Sequence, residues 1–513
     1  MITLSGPALE KFDPLSPIAS DLNQIIGRLA AKDATLWGSD SEAPTRLNWI
    51  DLPVTSQALI PELQELSAWA TKNNLSELVL CGMGGSSLAP EVISKSFGKK
   101  LVVLDSTDPT QINQALPREL SKALIMVGSK SGSTIETSSQ RAFFTAKFEA
   151  AGLNPTEHIV IITDPGSPLD LESRSHGTRV INADPNVGGR YSALSAFGLT
   201  PAALMGVNPK GLISDAASAM TEIATQNSTA VKVATLIMEQ SEQNIAFFDA
   251  GSTVPGLADW IEQLIAESTG KNKKGRLPIV LESESSEIAG AGFKIGFAKS
   301  SADLIVEGTL GEQFIFWEFV TALLGRALMV DPFNQPNVTE AKDRTNKLLA
   351  EWGTAPIPAI APQFEDSDLQ IFSPISATTL DEFLAAFLQP THTYIAVMAY
   401  LNRNQDQKAT KIRQLIAEKT KCGVTFGWGP RFLHSTGQFH KGGQENGAFL
   451  QITGNSEIDI EIPGKDLSFY KLLMAQALGD GQALETRNYP LLRIHLKNRE
   501  AGIEKIIAAI TKL

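Results

Sequence analysis

The chain has few cysteines and no patterned metal ligands. Only Cys81 and Cys422 are present among 513 residues, and neither a Cys-x-x-Cys nor a His-x-x-x-His pair occurs. Structural zinc needs such spaced ligands, and a disulfide framework needs more cysteines. We therefore expect no metal site, no disulfide and a chain that works in a reducing cytoplasm.

Positive charge and long apolar runs are also scarce. The formal net charge is −12, so the composition predicts no basic surface for nucleic acid. The segment Met1–Gly6 lacks a basic region followed by an apolar one, which argues against secretion. The most apolar long stretch, Phe314–Val330, contains Glu318 and Arg326 and predicts a buried helix rather than a membrane span. Neither nucleic acid nor a membrane is an expected partner.

What the chain does have is a repeated alternation of apolar strands and helical segments. Hydrophobic residues make up 43% of the sequence, enough for two or three buried cores at this length. Alternation of this kind builds parallel sheets that bind ligands at the carboxyl ends of their strands. We predict an α/β protein with two doubly wound parallel-sheet domains and a smaller C-terminal α/β region. The predicted divisions are a helical segment at 1–75, domains at 76–208 and 209–354, a linker at 356–362 and a C-terminal domain at 363–513.

Two predicted strands run into turns rich in glycine and hydroxyl groups. Residues 78–87 read Leu-Val-Leu-Cys-Gly-Met-Gly-Gly-Ser-Ser, and residues 124–134 read Leu-Ile-Met-Val-Gly-Ser-Lys-Ser-Gly-Ser-Thr. A strand that breaks at glycine into a helix leaves backbone N–H groups that can hold an anion. Phosphate oxygens could also be bound by the hydroxyls of Ser86, Ser129, Ser131 and Thr134. Single turns of this type are ordinary connectors, but the pair favours a phosphate cradle.

The two turns do not match the nucleotide-binding patterns. No Walker-type Gly-Lys-Ser/Thr ending is present, and Gly82-x-Gly84-Gly85 lacks the spacing of the dinucleotide fingerprint. The predicted ligand is therefore a phosphorylated metabolite such as a small sugar.

Five ordered motifs resemble those of the phosphoglucose isomerase family. The turn at 82–86 resembles the family's Gly-x-Gly-Gly-Ser, and residues 129–137 are similar to its Ser-Lys-Thr-x-Thr-Thr-x-Glu-Thr loop. Three more follow in family order: Val-Gly-Gly-Arg-Tyr-Ser at 187–192, Glu-Ser-Thr-Gly-Lys at 267–271, and Asp-Pro-Phe-Asn-Gln-Pro-Asn-Val at 331–338, leading to Lys342. With its long tail, the chain most resembles the isomerase portion of bacterial transaldolase/phosphoglucose isomerase fusions.

The resemblance implies reversible conversion of glucose 6-phosphate to fructose 6-phosphate, a step of glycolysis and gluconeogenesis. It implies two sugar-isomerase (SIS) domains, a homodimer, and no metal or other cofactor. The reaction moves a proton between C1 and C2 through a cis-enediol(ate), which needs a base and a fixed cation. By resemblance Glu267 is the base, Arg190 is the oxyanion partner and Lys342 is a further catalytic residue. The implied phosphate-binding residues are Gly84, Gly85, Ser86, Ser129, Lys130, Ser131, Ser133 and Thr134, with Lys130 secondary to the hydroxyls.

Each catalytic assignment competes with a plainer interpretation. Glu267 ends a predicted helix just before Gly270, where glutamates are commonly solvated. Arg190 follows two glycines, as in a surface turn. Lys342 lies on a charged helix whose lysines would mostly face solvent. The family resemblance favours the functional roles.

The sequence departs from the family at the step that opens the sugar ring. Better-known members use a histidine with a lysine, but Gln313 stands where that histidine would fall. A neutral amide cannot exchange the required proton. His434 and His440 in the tail are the remaining candidates, and His434 is favoured. Because relatives take this histidine from the neighbouring subunit, the tail could act across a dimer interface.

Two other functions stay open. An isomerase of another phosphosugar, such as mannose 6-phosphate or an amino sugar, would share these motifs. A non-catalytic SIS module that senses a sugar phosphate would keep the cradle without the base. The joint presence of Glu267, Arg190 and Lys342 counts against the second alternative.

Overall fold

The computed structural model describes residues 1–283, 292–389 and 392–513. Within these residues the strands form three sheets, each built around a set of parallel strands. The predicted α/β class, with two doubly wound sheets and a further C-terminal α/β region, is confirmed. The domain boundaries proposed from the sequence stay a prediction.

The N-terminal segment packs against the two units that follow it. Strand β1 (Thr3–Ser5) pairs antiparallel with residues 305–307 of the second sheet. Three helices follow, α1 (Pro17–Ala30), α2 (Leu52–Thr55) and α3 (Ile60–Lys72). The buried side chains of α1 and α3 belong to one core with residues of both following units. This segment is therefore an integral part of the structure rather than an appendage.

The first sheet is parallel throughout. Its strands are β2 (Glu77–Gly82), β3 (Val102–Leu104), β4 (Ala123–Gly128), β5 (Ile159–Thr163) and β6 (Arg179–Asn182). They are connected by α4 (Gly85–Ser96), α5 (Pro109–Gln114), α6 (Ile135–Ala150) and α7 (Pro168–Ser175). The order β3-β2-β4-β5-β6 reverses its winding between β2 and β4, the place where doubly wound sheets bind ligands. Gly82 and Gly128 are in register there, so the two glycine turns leave the sheet side by side.

The second unit repeats this winding. Its helices α8 (Ala196–Leu204), α9 (Pro209–Ile223) and α10 (Thr229–Met238) precede the sheet. The sheet and its remaining helices are β7 (Asn244–Phe248), α11 (Leu257–Thr269), β8 (Leu277–Val280), β9 (Lys294–Gly296), β10 (Leu304–Glu307), α12 (Leu310–Leu328) and α13 (Pro336–Trp352). The order is β1-β10-β9-β7-β8, with β1 alone antiparallel.

Helix α12 is the buried apolar helix that the sequence predicts. Its Glu318 is fully buried, and burial raises the pKa of that carboxyl well above its usual value. Among the residues that the structure describes, no helix is long and apolar enough to cross a membrane.

The C-terminal unit contains a six-stranded sheet. Its elements are β11 (Phe364–Glu365), β12 (Leu369–Phe372), α14 (Leu380–Leu388), β13 (Tyr394–Tyr400), α15 (Lys411–Thr420), β14 (Gly423–Trp428), α16 (Gly437–Gly442), β15 (Gly447–Gly454), α17 (Phe469–Glu485), β16 (Leu491–Leu496) and α18 (Arg499–Lys512). Strands β13 to β16 are parallel, whereas β11 and β12 extend the sheet antiparallel to them. The order is β11-β12-β16-β15-β13-β14.

The C-terminal unit lies against the carboxyl end of strand β3. Arg431 contacts Asp105 at 2.7 Å, and Arg499 contacts Asp108 at 2.7 Å. Thr107 donates a hydrogen bond to the Gln476 side chain of α17. This contact brings loops of the C-terminal unit next to the two glycine turns.

Candidate active site

The first glycine turn packs directly against the turn that carries Arg190. A Cβ on Gly85 would lie 1.9 Å from the carbonyl oxygen of Gly189. Gly84 has a φ of +57°, and a Cβ there would lie 2.9 Å from the carbonyl oxygen of His434. Only glycine permits both approaches. Because Gly84 and Gly85 have no side chains, the first glycine turn can pack against both the Gly189 turn and the segment at His434.

The hydroxyls of the two turns lie near each other. A Cβ on Gly128 would lie 3.1 Å from the Cβ of Ser86, which places Ser86 beside the start of the second turn. Ser129 is buried and its Oγ donates to Thr134 Oγ1 at 3.3 Å. The hydroxyl oxygens of Ser131 and Ser133 are 2.7 Å apart. The structure thus groups the predicted phosphate-binding hydroxyls of the second turn before α6, with Ser86 beside the start of that turn.

The ammonium group of Lys130 forms an ion pair with Asp164. Its Nζ lies 2.6 Å from Asp164 Oδ2 and donates to the carbonyl oxygen of Pro185 at 2.8 Å. Burial lowers the pKa of this ammonium, although Asp164 opposes the effect. The role of Lys130 in phosphate binding stays a prediction.

Glu267 and Arg190 form a buried pair. Arg190 Nη1 lies 3.3 Å from Glu267 Oε1, and both side chains are less than 10% exposed. Arg190 also donates from Nε to Ser268 Oγ and from Nη2 to the carbonyl oxygens of Pro332 and Asn334, at 2.7, 2.6 and 3.0 Å. The guanidinium is therefore fixed in orientation. A solvated helix end and a free surface turn, the plainer interpretations of these residues, do not describe them.

Two residues that the sequence analysis did not assign complete this pair. Gln263, one turn before Glu267 on α11, donates to Glu267 Oε2 at 3.0 Å and to the carbonyl oxygen of His434 at 2.8 Å. The side chain of Gln335 accepts from Arg190 Nη1 at 3.3 Å. The i, i+4 spacing of Gln263 and Glu267 and the position of Gln335 in a family-like motif are the signals that could have found them.

His434 contacts a second carboxylate, Glu136. Its Nε2 lies 3.0 Å from Glu136 Oε1, and Gln476 Nε2 donates to the same oxygen at 2.7 Å. Burial acts to raise the pKa of Glu136, but the charge and hydrogen bond of His434 and the charge of Lys342 outweigh it and lower the pKa below its usual value. The buried, ionised carboxylate of Glu136 therefore holds the imidazole of His434 in one orientation.

A cavity of about 310 Å³ lies beside this pair. Its wall includes Ser133, Thr134, Glu136, Lys342, His434 and Gln476. Lys342 is exposed on α13 and forms part of the cavity wall. Two of the cradle residues, Ser133 and Thr134, thus share one space with a histidine–carboxylate pair and a lysine, and this space is large enough for part of a sugar phosphate.

The alternative histidine lies in a packed core. His440 is 4% exposed and stacks on Tyr394 with ring centroids 5.8 Å apart. Burial lowers its pKa to about 3, so it stays neutral near pH 7. Gln313, at the family's histidine position, donates to the Val306 carbonyl oxygen and accepts from Trp317. Of these three side chains, His434 alone lines the cavity with Lys342 and Glu136.

Comparison with known proteins agrees with the motifs. Residues 63–293 match the family model of phosphoglucose isomerase. This match confirms the resemblance to the family and includes the two glycine turns, Arg190 and Glu267, whereas the likeness to the fusion proteins stays a prediction. Gln335, Lys342 and His434 lie beyond it.

Curated relatives carry the name glucose-6-phosphate isomerase. One from Thermus thermophilus is 33% identical over 244 residues, covering 45% of this chain and 57% of the relative. That of Campylobacter jejuni is 32% identical over 240 residues, covering 44% and 59%. The Carboxydothermus hydrogenoformans protein is 28% identical over 298 residues, covering 53% and 63%. The chain thus spans about three fifths of the length of these relatives.

A solved structure supports the fold. The crystal structure of a glucose-6-phosphate isomerase from Chlamydia trachomatis superposes with a TM-score of 0.56 at 18% identity, covering 69% of this chain and 89% of that one. At this identity the likeness concerns the fold alone.

Proposed function

We propose that the protein interconverts glucose 6-phosphate and fructose 6-phosphate. The observation that carries the proposal is the buried contact between Glu267 and Arg190, beside two glycine turns at the winding reversal of a parallel sheet. A carboxylate next to a fixed guanidinium provides the base and the oxyanion partner that an aldose–ketose isomerisation needs. The family match and the named relatives support the same reaction.

In this proposal the phosphate binds at the N-terminus of α6. The hydroxyls of Ser86, Ser129, Ser131, Ser133 and Thr134 and the backbone around Gly84 and Gly85 hold its oxygens, together with the positive end of the helix dipole. Lys130 pairs with Asp164 and so holds the loop in place, rather than binding the phosphate directly. Glu267 then moves the proton between C1 and C2 while Arg190 stabilises the enediolate.

Ring opening is assigned to His434. The imidazole transfers a proton between the ring oxygen and the anomeric hydroxyl, Glu136 holds the imidazole in orientation, and Lys342 lines the same cavity. The contact of His434 with Glu136 within one chain supports a site completed by one polypeptide. A homodimer and a cytoplasmic location remain part of the proposal.

The deciding experiment compares the wild-type protein with Glu267→Gln in an assay of glucose 6-phosphate conversion to fructose 6-phosphate. We expect turnover by the wild type and a loss of about 10²–10⁴-fold or more in the variant, because no other proposed group carries the C1/C2 proton. Competition by inorganic phosphate should persist, since the cradle is separate. If the wild-type protein converts mannose 6-phosphate instead of glucose 6-phosphate, the proposed substrate is wrong. Near-normal turnover by the variant would remove Glu267 from the mechanism.

A further inference from the structure

We propose that Arg431 is a positioning residue that holds the His434 turn in place for ring opening. The inference rests on the proposed function, because it concerns the histidine assigned there. Arg431 and His434 are the first and last residues of one short 3₁₀ turn, Arg431–His434. A displacement of one end of so short a turn therefore displaces the other.

The Arg431 end of the turn is anchored on the first unit by two carboxylates. Its Nη1 lies 2.5 Å from Glu91 Oε2 on α4 and 2.7 Å from Asp105 Oδ2, just after β3. The Asp105 side chain is 1% exposed, and those of Arg431 and Glu91 are 13% and 14% exposed. Burial opposes a charged guanidinium, but Glu91 and Asp105 outweigh it and raise the pKa of Arg431 above its usual value. Charge-assisted bonds at such sites are short and directional.

The His434 end is held by two different elements. Its imidazole meets Glu136 on α6, and its carbonyl oxygen accepts from Gln263 on α11, which also donates to Glu267. The turn therefore has three polar anchors on the first two units, and two of them, Glu136 and Gln263, contact His434 itself. Arg431 is the anchor that does not touch the cavity, so its contribution to ring opening would be positional.

Besides these polar anchors, the turn is held on its own unit by Phe432, which is buried and packs against Tyr400. It is a single four-residue 3₁₀ turn without a side-chain cap, and it belongs to the C-terminal unit, whereas Glu91, Asp105 and Glu136 belong to the first unit. A shift of about 1 Å in a catalytic group can cost on the order of 10²-fold in rate. Loss of the Arg431 anchor should thus affect the step that needs His434 more than the step that needs Glu267.

Arg403 offers a matched control. Its Nη1 lies 3.5 Å from Glu91 Oε1 and 3.6 Å from Asp105 Oδ1, so it shares both carboxylates with Arg431. It lies on the loop after β13 rather than on the His434 turn. Removing Arg403 weakens the same contact between the units without releasing the histidine.

The test compares Arg431→Met, Arg431→Lys, Arg403→Met and His434→Ala on two substrates. Glucose 6-phosphate is mainly cyclic, whereas 4,5-dideoxyglucose 6-phosphate has no hydroxyl that can close a five- or six-membered ring. For Arg431→Met we expect kcat on glucose 6-phosphate to fall about 10- to 100-fold, with the rate on the open-chain analogue within about twofold of wild type. Arg431→Lys should recover part of the loss, and Arg403→Met should leave both rates within about twofold.

Three results would overturn the inference. Equal losses on both substrates in Arg431→Met would make Arg431 a general structural residue. An equal selective loss in Arg403→Met would assign the effect to contact between the units. Unchanged turnover of glucose 6-phosphate in Arg431→Met would show that the turn needs no such anchor. If Arg431→Met does not fold, Arg431→Lys decides by the same comparison. A wild-type protein without isomerase activity would instead refute the proposed function.

Discussion

At the scale of single residues, Glu136 illustrates how a carboxylate can stay ionised inside the protein. It is 3% exposed, yet His434 and Gln476 both contact its Oε1 and Lys342 contributes a nearby charge. Since its folded pKa lies below the usual value of 4.5, the ionised form stabilises the folded state above that pH. This stabilisation is lost as the pH falls through the lower folded pKa.

Glu136→Gln should therefore show a pH-dependent loss of stability. We expect the free energy of unfolding to fall by about 1.5–3 kcal/mol near pH 7, the usual size for a hydrogen bond to a charged group. The difference from wild type should shrink as the pH falls from 4.5 towards the lower folded pKa of Glu136, because the contribution of the ionised carboxylate is lost over that range. Urea unfolding at several pH values measures the difference in the free energy of unfolding between the variant and the wild type. The exposed Glu149→Gln on the same helix serves as control, and a difference independent of pH would contradict the prediction.

The sequence could predict some of the site residues but not their partners. Glu267, Arg190 and Lys342 lie in motifs with family-like spacing, and the structure places the first two in contact. The roles of Glu136 and Gln263 depend on hydrogen bonds to His434, which is 298 and 171 residues away. No local pattern encodes such a contact, because it arises only when the C-terminal unit packs on the first unit.

At the scale of elements, the turn before α4 depends on the small size of Gly85. Its neighbour in space, Gly189, carries the backbone oxygen that a Cβ on Gly85 would meet at 1.9 Å. A Cβ on Gly189 itself would meet nothing within 4 Å. A methyl group on Gly85 would therefore clash with the backbone of Gly189, whereas a methyl group on Gly189 would fit without a clash.

Gly85→Ala should destabilise the protein by about 1–3 kcal/mol or more and lower turnover, because backbone atoms must move apart. Gly189→Ala should change the free energy of unfolding by less than about 1 kcal/mol. Urea unfolding and kcat for glucose 6-phosphate measure both variants. Equal effects of the two substitutions would mean that this close approach does not control the arrangement of the turns.

The loop that enters α6 supports a prediction about phosphate. Replacing Ser129, Ser131 and Thr134 together by alanine should weaken the substrate and inorganic phosphate alike, by about 1.5–3 kcal/mol per lost hydrogen bond to a charged oxygen. Competition by inorganic phosphate measures this. Ser175→Ala, which removes a hydroxyl bonded to the helix carbonyl of Glu172, is the control. Unchanged phosphate affinity in the triple variant would place the cradle elsewhere.

Many strands are predictable from their apolar runs, whereas some of the short strands are not. The apolar runs Ile159–Thr163, Asn244–Phe248 and Tyr394–Tyr400 predict strands from the sequence alone, and the structure has strands with these bounds. Strands β6 and β9, with four and three residues, were not predicted. Runs this short carry little periodicity of their own, and pairing with a neighbouring strand decides their conformation.

At the scale of the whole molecule, all three sheets wind their first four parallel strands in the same way. In each, the second strand lies to one side of the first, and the third and fourth lie to the other. The carboxyl end of the first sheet is covered by the third unit, through Arg431, Arg499 and Gln476. This arrangement brings His434 to Glu136 within one chain, whereas the family resemblance led us to consider delivery from a partner.

A subunit-mixing experiment separates these two arrangements. Glu267→Gln and His434→Ala are each expected to be defective, the second on cyclic substrate. If both residues of one site come from one chain, mixed dimers of the two variants contain no intact site and stay as defective as the parents. If His434 acted across the interface, each mixed dimer would regain one of two sites, and random mixing would restore about a quarter of wild-type activity.

The variants should be unfolded together, refolded and assayed with glucose 6-phosphate, with differently tagged chains to verify that mixed dimers form. Wild type mixed with either variant reports the recovery that refolding allows. We expect no recovery above the parental variants, because the 3.0 Å contact of His434 with Glu136 and the bond from Gln263 to its carbonyl oxygen lie within one chain. A monomeric protein would behave in the same way and for the same reason. Recovery near a quarter would instead show that the tail exchanges between subunits in solution.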